Sequence, residues 1–129
     1  MLFRSNLLKR IKFVNQTNKI IKYFNVCDIF VLPSKTEGMP NALLEAMACG
    51  LVPIVLKISN LYSDIIIDKN NGFILKKNSI EELSATLNKL IINKDRLNQV
   101  SLNARKTIEK KFDLSNHILK INNIYKTLC

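Results

Sequence analysis

Residues 34–50 have the sequence SKTEGMPNALLEAMACG. An apolar run at residues 29–32 leads into them, Pro33 and Gly38 mark a turn, and strong helix formers then continue to Gly50. This pattern predicts a strand, a loop and the N-terminus of a helix. Such a junction directs free backbone N–H groups and the positive end of the helix dipole at one point, which is a natural seat for phosphate.

The composition favours one globular domain, and the scarcity of Gly and Pro argues against an all-β chain of many tight turns. The chain has 129 residues, of which 47% are apolar and 23% charged, so it is long enough for one core and too short for two ordinary domains. The net charge is +10, but the cations are mostly lysines spread along the chain, and lysine lacks the planar fork that reads guanine or phosphate. We therefore expect no nucleic-acid partner. Two interpretations of the charge remain, namely contact with an anionic membrane face and simple genome composition.

The three cysteines, Cys27, Cys49 and Cys129, are far apart and never in Cys-x-x-Cys spacing, so we expect neither a metal site nor a disulfide framework. Cys27 and Cys49 are expected to be small buried residues of a reduced protein. No run approaches the roughly 18 apolar residues of a membrane span, and the basic N-terminus has no uninterrupted apolar segment. The expected location is cytoplasmic, either free or in peripheral contact with the inner membrane face.

Alternating strand and helix patterns run along the chain. The predicted strands are residues 11–14, 28–32, 51–56 and 73–75, and the predicted helices are residues 19–25 and 40–49 and three that start near residues 79, 95 and 115. Residues 62–67 fit either a short helix or an extended segment, and residues 68–72 predict a turn. The order predicts an α/β fold, an incomplete Rossmann-like parallel sheet flanked by helices with a C-terminal helical tail.

Several residues predict how these elements begin and which face they bury. Thr17 or Asn18 is expected to cap the first helix, Pro40 fits a first turn, and residues 79–82 have the Ser-x-x-Glu form of a capping box. The strand at 28–32 is apolar on both faces, as in a central parallel strand. The stripes expected to pack are Leu83, Leu87, Leu90 and Ile91, then Leu97, Val100, Ala104 and Ile108, then Ile118, Ile121, Tyr125 and Leu128.

The loop after the strand that ends at Leu32 is the candidate binding site, because ligands of open parallel sheets lie beyond the carboxyl ends of the strands. Backbone amides near Gly38 and Asn41 face an incoming anion there, and Glu45 lies one helical turn beyond Asn41. Glu37 and Glu45 accept hydrogen bonds from hydroxyls, so a ligand with both phosphates and sugars, such as a nucleotide sugar, suits the junction. The alternative is that both glutamates are solvated surface acids.

The motif resembles a known signature. Glu37-Gly38-Met39-Pro40-Asn41, followed by Glu45-Ala46-Met47-Ala48-Cys49-Gly50 and Pro53, is similar to the E-G-x-P-N, E-A-x-A-x-G-x-P pattern of retaining GT-B glycosyltransferases of group 1, whose core is a Glu-x7-Glu pair. Residues 27–34 resemble the strand before that signature, and residues 68–73 resemble the family's D-x-x-N-G-F turn. The resemblance covers most of residues 11–128.

This resemblance implies roles for individual residues. Glu37 would be the catalytic residue, acting on the hydroxyls of the donor sugar by position and charge and not as a covalent nucleophile. Glu45 would hold the ribose hydroxyls of the nucleotide. The implied substrate-binding residues are Gly38, Met39, Pro40, Asn41, Ala42 and Glu45. The family's reaction retains anomeric configuration and needs neither a metal nor another cofactor.

Two departures from the family pattern stand out. Residues 60–64 lack the glycines of the G-G-x-x-E-like element, with Asp64 in place of its acid. Nothing in the chain matches the N-terminal acceptor domain or the basic pair that contacts the diphosphate. We therefore expect residues 1–129 to be a single partial domain, the later part of a donor-binding domain, from a truncated or split enzyme that is inactive alone.

The implied function is hexosyltransferase-like: transfer of a sugar from a nucleotide-diphosphate sugar to a glycan or lipid-linked acceptor in bacterial surface polysaccharide synthesis. A separate chain carrying the acceptor domain is an expected partner. The alternative is a non-catalytic nucleotide-sugar-binding or interaction module derived from such an enzyme.

Overall fold

The computed structural model describes residues 9–34, 40–57 and 62–113, and beyond them residues 115, 118, 119, 121, 123 and 126. Three strands and four helices are defined there: α1 (Ile20–Phe24), β1 (Ile29–Leu32), α2 (Asn41–Ala48), β2 (Val52–Leu56), β3 (Phe73–Leu75), α3 (Ile80–Ile92) and α4 (Lys94–Lys111).

The strands form one parallel sheet in the order β1-β2-β3. Ile29 is in register with Val52, and Ile54 with Phe73. All three strands therefore end at the same side of the sheet, which we call the carboxyl edge, and begin at the opposite side, the amino edge. The expectation of a parallel α/β sheet is confirmed. Within the described residues, however, β2 and not β1 is the central strand.

The side chains of β2 alternate between two core layers. Val52 and Ile54 pack with Leu90 of α3 and Val100 of α4, whereas Val55 packs with Met47 of α2 and other side chains on the opposite side. Every residue of β2 except the last is buried, while all four residues of β1 are half-buried. A strand with one sheet neighbour and incomplete cover cannot bury both faces, which explains why its apolar sequence was misleading about its position.

Helix α2 ends as the sequence predicts. Gly50 has φ +81°, the amide of Leu51 donates to Ala46 O, and the amide of Gly50 donates to Met47 O. These two bonds and the left-handed glycine form a Schellman motif. The motif reverses the chain directly from α2 into β2.

Two predictions at the N-terminal side of the sheet are wrong. Residues 11–14 form no strand; Phe13 is 82% exposed, and a short apolar run without a neighbouring strand has no ladder to join. Helix α1 forms, but Lys19 occupies its N-cap position. Thr17 Oγ1 instead accepts a hydrogen bond from the amide of Lys19 itself.

The helices after the sheet largely follow their predicted stripes. Leu90, Leu97, Val100 and Ala104 are buried, and Leu83, Leu87 and Ile108 pack partly buried against the core. Ile91 does not, since it is 60% exposed. Ser79 caps α3 by accepting from the amide of Glu82. The glutamate does not complete a reciprocal box; its two oxygens accept from the amides of Lys76 and Lys77.

Three further expectations meet the structure as follows. Cys27 is exposed and Cys49 is half-buried, so the prediction that both are buried is wrong. Pro40 is the N-cap of α2 and does not belong to its first turn. Of the last predicted stripe, Ile118 and Ile121 are exposed, and Tyr125 and Leu128 lie outside the described residues. None of the described helices has the length and apolarity that crossing a membrane requires.

Candidate functional site

The predicted site residues fall into two groups. Glu37, Gly38 and Met39 lie outside the described residues, so their predicted roles are untested. Four others lie at the N-terminal end of α2: Pro40 is its N-cap, and Asn41, Ala42 and Glu45 are among its first five residues. Because β1 ends at Leu32 and α2 follows the connecting loop, this helix begins at the carboxyl edge of the sheet.

The first turn of α2 leaves backbone donors available. The carbonyl of Pro40 accepts from the amides of Leu43 and Leu44, at 2.9 and 3.2 Å. The amides of Asn41 and Ala42 have no acceptor within the described part of the chain, and no side chain caps the helix. Two free N–H groups at the positive end of a helix dipole can bind a phosphate oxygen.

The two sides of α2 are chemically distinct. Leu43, Ala46 and Met47 are completely buried, whereas Asn41 and Glu45 are exposed. Asn41 and Glu45 are four residues apart, so they share the outer face of the helix. No described residue forms an ion pair or hydrogen bond with the Glu45 carboxylate. The structure therefore places an unpaired acceptor of hydroxyl hydrogen bonds one turn away from the free amides.

Three lysines at the carboxyl edge were missed by the sequence reasoning. Lys57 follows the last residue of β2, and Lys76 and Lys77 follow the last residue of β3; all three are exposed. They supply positive charge at the side of the sheet where α2 begins. The sequence did contain a signal for these lysines, since a basic residue immediately follows each of two predicted parallel strands. The ends of such strands share one edge of the sheet.

The loop after β3 is held by Glu82 of α3. Its carboxylate accepts from the amides of Lys76 and Lys77 at 3.0 and 2.7 Å. These backbone hydrogen bonds, Lys76 first and Lys77 second, hold the pKa of Glu82 below its ordinary value. Asn78, with φ 51°, connects this loop to the segment after β2, because its Oδ1 accepts a hydrogen bond from the amide of Lys57. The segments that follow β2 and β3 are thereby joined.

The turn at residues 68–72 is built by side-chain hydrogen bonds. Asp68 Oδ1 accepts from the amide of Ile74. Asn71 is fully buried; its Oδ1 accepts from the amide of Ile67, and its Nδ2 donates to Ile65 O and to Thr107 Oγ1 of α4. The described contacts give these residues a structural role, in contrast with the exposed residues of α2.

Metal-binding chemistry finds no support among the described residues. No group of three or more His, Cys, Asp or Glu side chains comes together there. Asp64, the residue noted in place of the family's acid, is exposed, and its carbonyl accepts from Lys111 Nζ at 3.4 Å. Its carboxylate has no described role.

Comparison with known proteins adds independent findings on sequence. Residues 4–107 match the family model described as glycosyl transferases group 1. The UDP-Gal:alpha-D-GlcNAc-diphosphoundecaprenol alpha-1,3-galactosyltransferase of Escherichia coli is 36% identical over 122 residues, which cover 93% of this chain and 30% of that protein. The chain spans between 27% and 31% of the length of these and other curated relatives that it matches.

Solved structures agree in fold. The C-terminal domain of the glycosyl transferase group 1 family protein LpcC from Francisella tularensis superposes with a TM-score of 0.70 at 27% identity, covering 81% of this chain and 53% of that one. Anabaena HepE in complex with UDP superposes with a TM-score of 0.87 at 22% identity, covering 98% of this chain and 35% of that one. The family match, the close relative and the shared GT-B fold lead to one conclusion: this chain belongs to the group 1 family of glycosyltransferases.

Proposed function

We propose that this chain is the later part of the donor-binding domain of a retaining glycosyltransferase, and that the start of α2 holds a nucleotide-diphosphate sugar. The observation that carries this proposal is that the amides of Asn41 and Ala42 and the exposed carboxylate of Glu45 lie at the same end of one helix, with no partner among the described residues. Amides suit a diphosphate, and a carboxylate suits ribose hydroxyls. Family membership supports this division of roles.

Glu37 and the amides of residues 38–41 would act on the donor sugar and the diphosphate. The motif spacing supports this assignment, since Glu37 precedes the first residue of α2 by four positions. Glu37 would stabilise developing charge on the sugar by position, without forming a covalent bond. Lys57, Lys76 and Lys77 at the carboxyl edge would add positive charge for the diphosphate leaving group.

Uridine nucleotides are the first donors to test. The relative from Escherichia coli is named for a UDP-galactose donor and a diphosphoundecaprenol-linked acceptor, and the solved neighbour contains UDP. We propose a related reaction here: hexosyl transfer to a glycan or lipid-linked acceptor during surface polysaccharide synthesis, with peripheral contact at an anionic membrane. The acceptor-binding part would lie outside these 129 residues, in the same polypeptide or in a separate chain.

Titration with UDP tests the donor site. Isothermal calorimetry of the purified 129-residue chain at physiological salt should detect weak binding, and Glu45→Ala should weaken it about tenfold, because a charge-assisted hydrogen bond is lost. Asp95→Ala is the matched control. It removes another exposed carboxylate from a helix, at the start of α4, where neighbouring Arg96 contacts Lys69 at the amino edge.

Three outcomes separate the interpretations. Equal weakening of UDP binding by Glu45→Ala and Asp95→Ala would show that the effect arises from net charge, which would contradict the assignment of Glu45. Absence of binding to UDP and to the other common nucleoside diphosphates would favour the alternative, an interaction module that has lost the donor site. Detectable sugar transfer by the purified chain alone would show that it does not depend on a separate acceptor part.

A further inference from the structure

A groove of about 550 Å³ lies on the side of the molecule away from the start of α2. We call it the basic groove. Its main lining residues are Lys69, Phe73, Lys89, Leu90, Ile92 and Arg96. Lys69 precedes β3 and Phe73 is its first residue, while Leu90 and Ile92 end α3 and Arg96 lies in the first turn of α4. These positions place the groove at the amino edge, opposite the candidate donor site.

The charged residues that line the basic groove have one sign. Lys69, Lys89 and Arg96 line it, and none of its lining residues is acidic. This distinguishes it from the start of α2, where Glu45 offers an acceptor for sugar hydroxyls. A cationic groove without carboxylates favours an anionic ligand that does not depend on hydroxyl groups for recognition.

Arg96 is oriented before any ligand arrives. Its Nη1 donates to Gln99 Oε1 at 3.3 Å, and its Nη2 donates to the carbonyl of Lys69. Lys69 itself has φ 64°, so a left-handed turn residue presents that carbonyl to α4. A guanidinium has five N–H donors. The side chain, which is only half-exposed, therefore retains donors for an anion while its position is fixed by the protein.

The floor of the basic groove is apolar. Leu90 is 2% exposed, Phe73 is half-buried, and Ile92 is 83% exposed at the rim. An exposed isoleucine gains from contact with an apolar body. The volume falls within the range of small-molecule sites. Fixed positive charge and adjoining apolar surface together define the chemistry of the ligand.

We propose that the basic groove binds a small amphipathic anion: a phosphate, carboxylate or sulfonate joined to an aromatic or branched apolar body. The anionic group would bind between Arg96 and Lys89, and the apolar body would cover Phe73 and Ile92. This second site would be independent of the donor site at the other edge of the sheet.

The probe for this proposal is 1-naphthyl phosphate, titrated into the ¹⁵N-labelled chain while amide chemical shifts are recorded. We expect saturable shifts concentrated at residues 69–73 and 89–96. Inorganic phosphate and 1-naphthol each carry half of the required chemistry, so each should bind at least about tenfold more weakly. UDP added to the saturated complex should leave these shifts in place.

Matched variants test the role of Arg96. Arg96→Gln should weaken the probe about tenfold through loss of charge-assisted hydrogen bonds. Arg105→Gln removes the same charge from α4 at an exposed position paired with Glu109 and should leave the affinity unchanged. Lys89→Gln is a second variant, at an exposed helical position, and should weaken the probe about threefold. It provides a test that does not disturb the Arg96–Lys69 contact.

Several results would overturn the proposal. Shifts scattered over surface lysines, or equal effects of Arg96→Gln and Arg105→Gln, would reduce binding to general charge attraction. Equal affinity for inorganic phosphate would remove the apolar requirement. Vesicles of phosphatidylglycerol and phosphatidylcholine form the last arm: vesicle binding that depends on Arg96, with no response to naphthyl phosphate, would assign the groove to a membrane surface instead.

Discussion

The start of α2 and the turn at residues 68–72 look alike in sequence, since both contain an asparagine within four residues of an acidic residue, but they differ in how their polar groups are satisfied. At the start of α2, Asn41 and Glu45 are exposed and two amides have no described acceptor. In the turn, Asn71 is fully buried and makes three hydrogen bonds. Polar groups that the fold already satisfies stabilise it, and those left open are available to a ligand.

The largest effect on stability is expected from removal of the buried Asn71 side chain. Asn71→Ala leaves the amide of Ile67, the carbonyl of Ile65 and Thr107 Oγ1 without that partner, and we expect a loss of about 3 kcal/mol in the free energy of unfolding. Urea denaturation measures it. Asn70→Ala, at the exposed neighbouring position, should change stability little. A similar loss from both variants would contradict a specific role for the Asn71 side chain.

Gly72 should give the next largest effect, through packing. A Cβ atom at this position would lie 2.7 Å from Pro53 Cγ and 3.1 Å from Ile66 Cγ2. Gly72→Ala should therefore destabilise the protein by about 2 kcal/mol, since a rigid ring of β2 must move. At Gly50 the nearest atom to such a Cβ is the flexible Ser101 Oγ at 3.4 Å. Gly50→Ala should lower the free energy of unfolding by only about 1 kcal/mol, because of the left-handed φ at this position. A larger loss from Gly50→Ala than from Gly72→Ala would contradict the packing argument.

Glu45→Ala should produce the opposite pattern to Asn71→Ala. The carboxylate is exposed and has no described partner, so the urea midpoint should stay unchanged while UDP affinity falls. Measuring both quantities on one preparation separates a ligand-binding residue from a structural one. A loss of stability comparable to that of Gly72→Ala would place Glu45 with the residues of the turn.

Lys57→Gln should have a smaller effect on UDP binding, about threefold, because an exposed lysine contributes mainly through solvent-screened attraction. The effect should shrink as salt concentration rises. Lys106→Gln, an exposed lysine of α4, serves as the control in the same calorimetric titration. Equal effects of both substitutions would mean that overall charge, and not the carboxyl edge, attracts the nucleotide.

The smallest effect concerns the pH dependence of the loop after β3. The pKa of Glu82 is lowered by hydrogen bonds from the amides of Lys76 and Lys77, so its ionised form is favoured in the folded state. Its contribution is complete above the ordinary pKa of glutamate and is lost as the pH falls through the lowered value. The stability difference between the wild type and Glu82→Gln should therefore narrow on acidification. A difference that stays constant between neutral and acidic pH would contradict this linkage.

The sequence by itself determined the local elements. Apolar runs located β1, β2 and β3, Gly50 ended α2, and Ser79 began α3, because backbone propensity and capping depend on residues close in the chain. The motif that carries Glu37 and Glu45 was sufficient to suggest the family before any fold was known. The role that this motif implies for Glu37 remains a prediction, since that residue lies outside the described part of the chain.

Only the tertiary structure decided which residues lie together. It put β2 in the centre of the sheet, left residues 11–14 without a strand partner, exposed Ile91, and gave Asn71 partners as distant in sequence as Thr107. It also assembled the basic groove from β3, α3 and α4. The burial of side chains and the pairing of strands depend on contacts between segments far apart in the chain, and local sequence patterns do not determine those contacts.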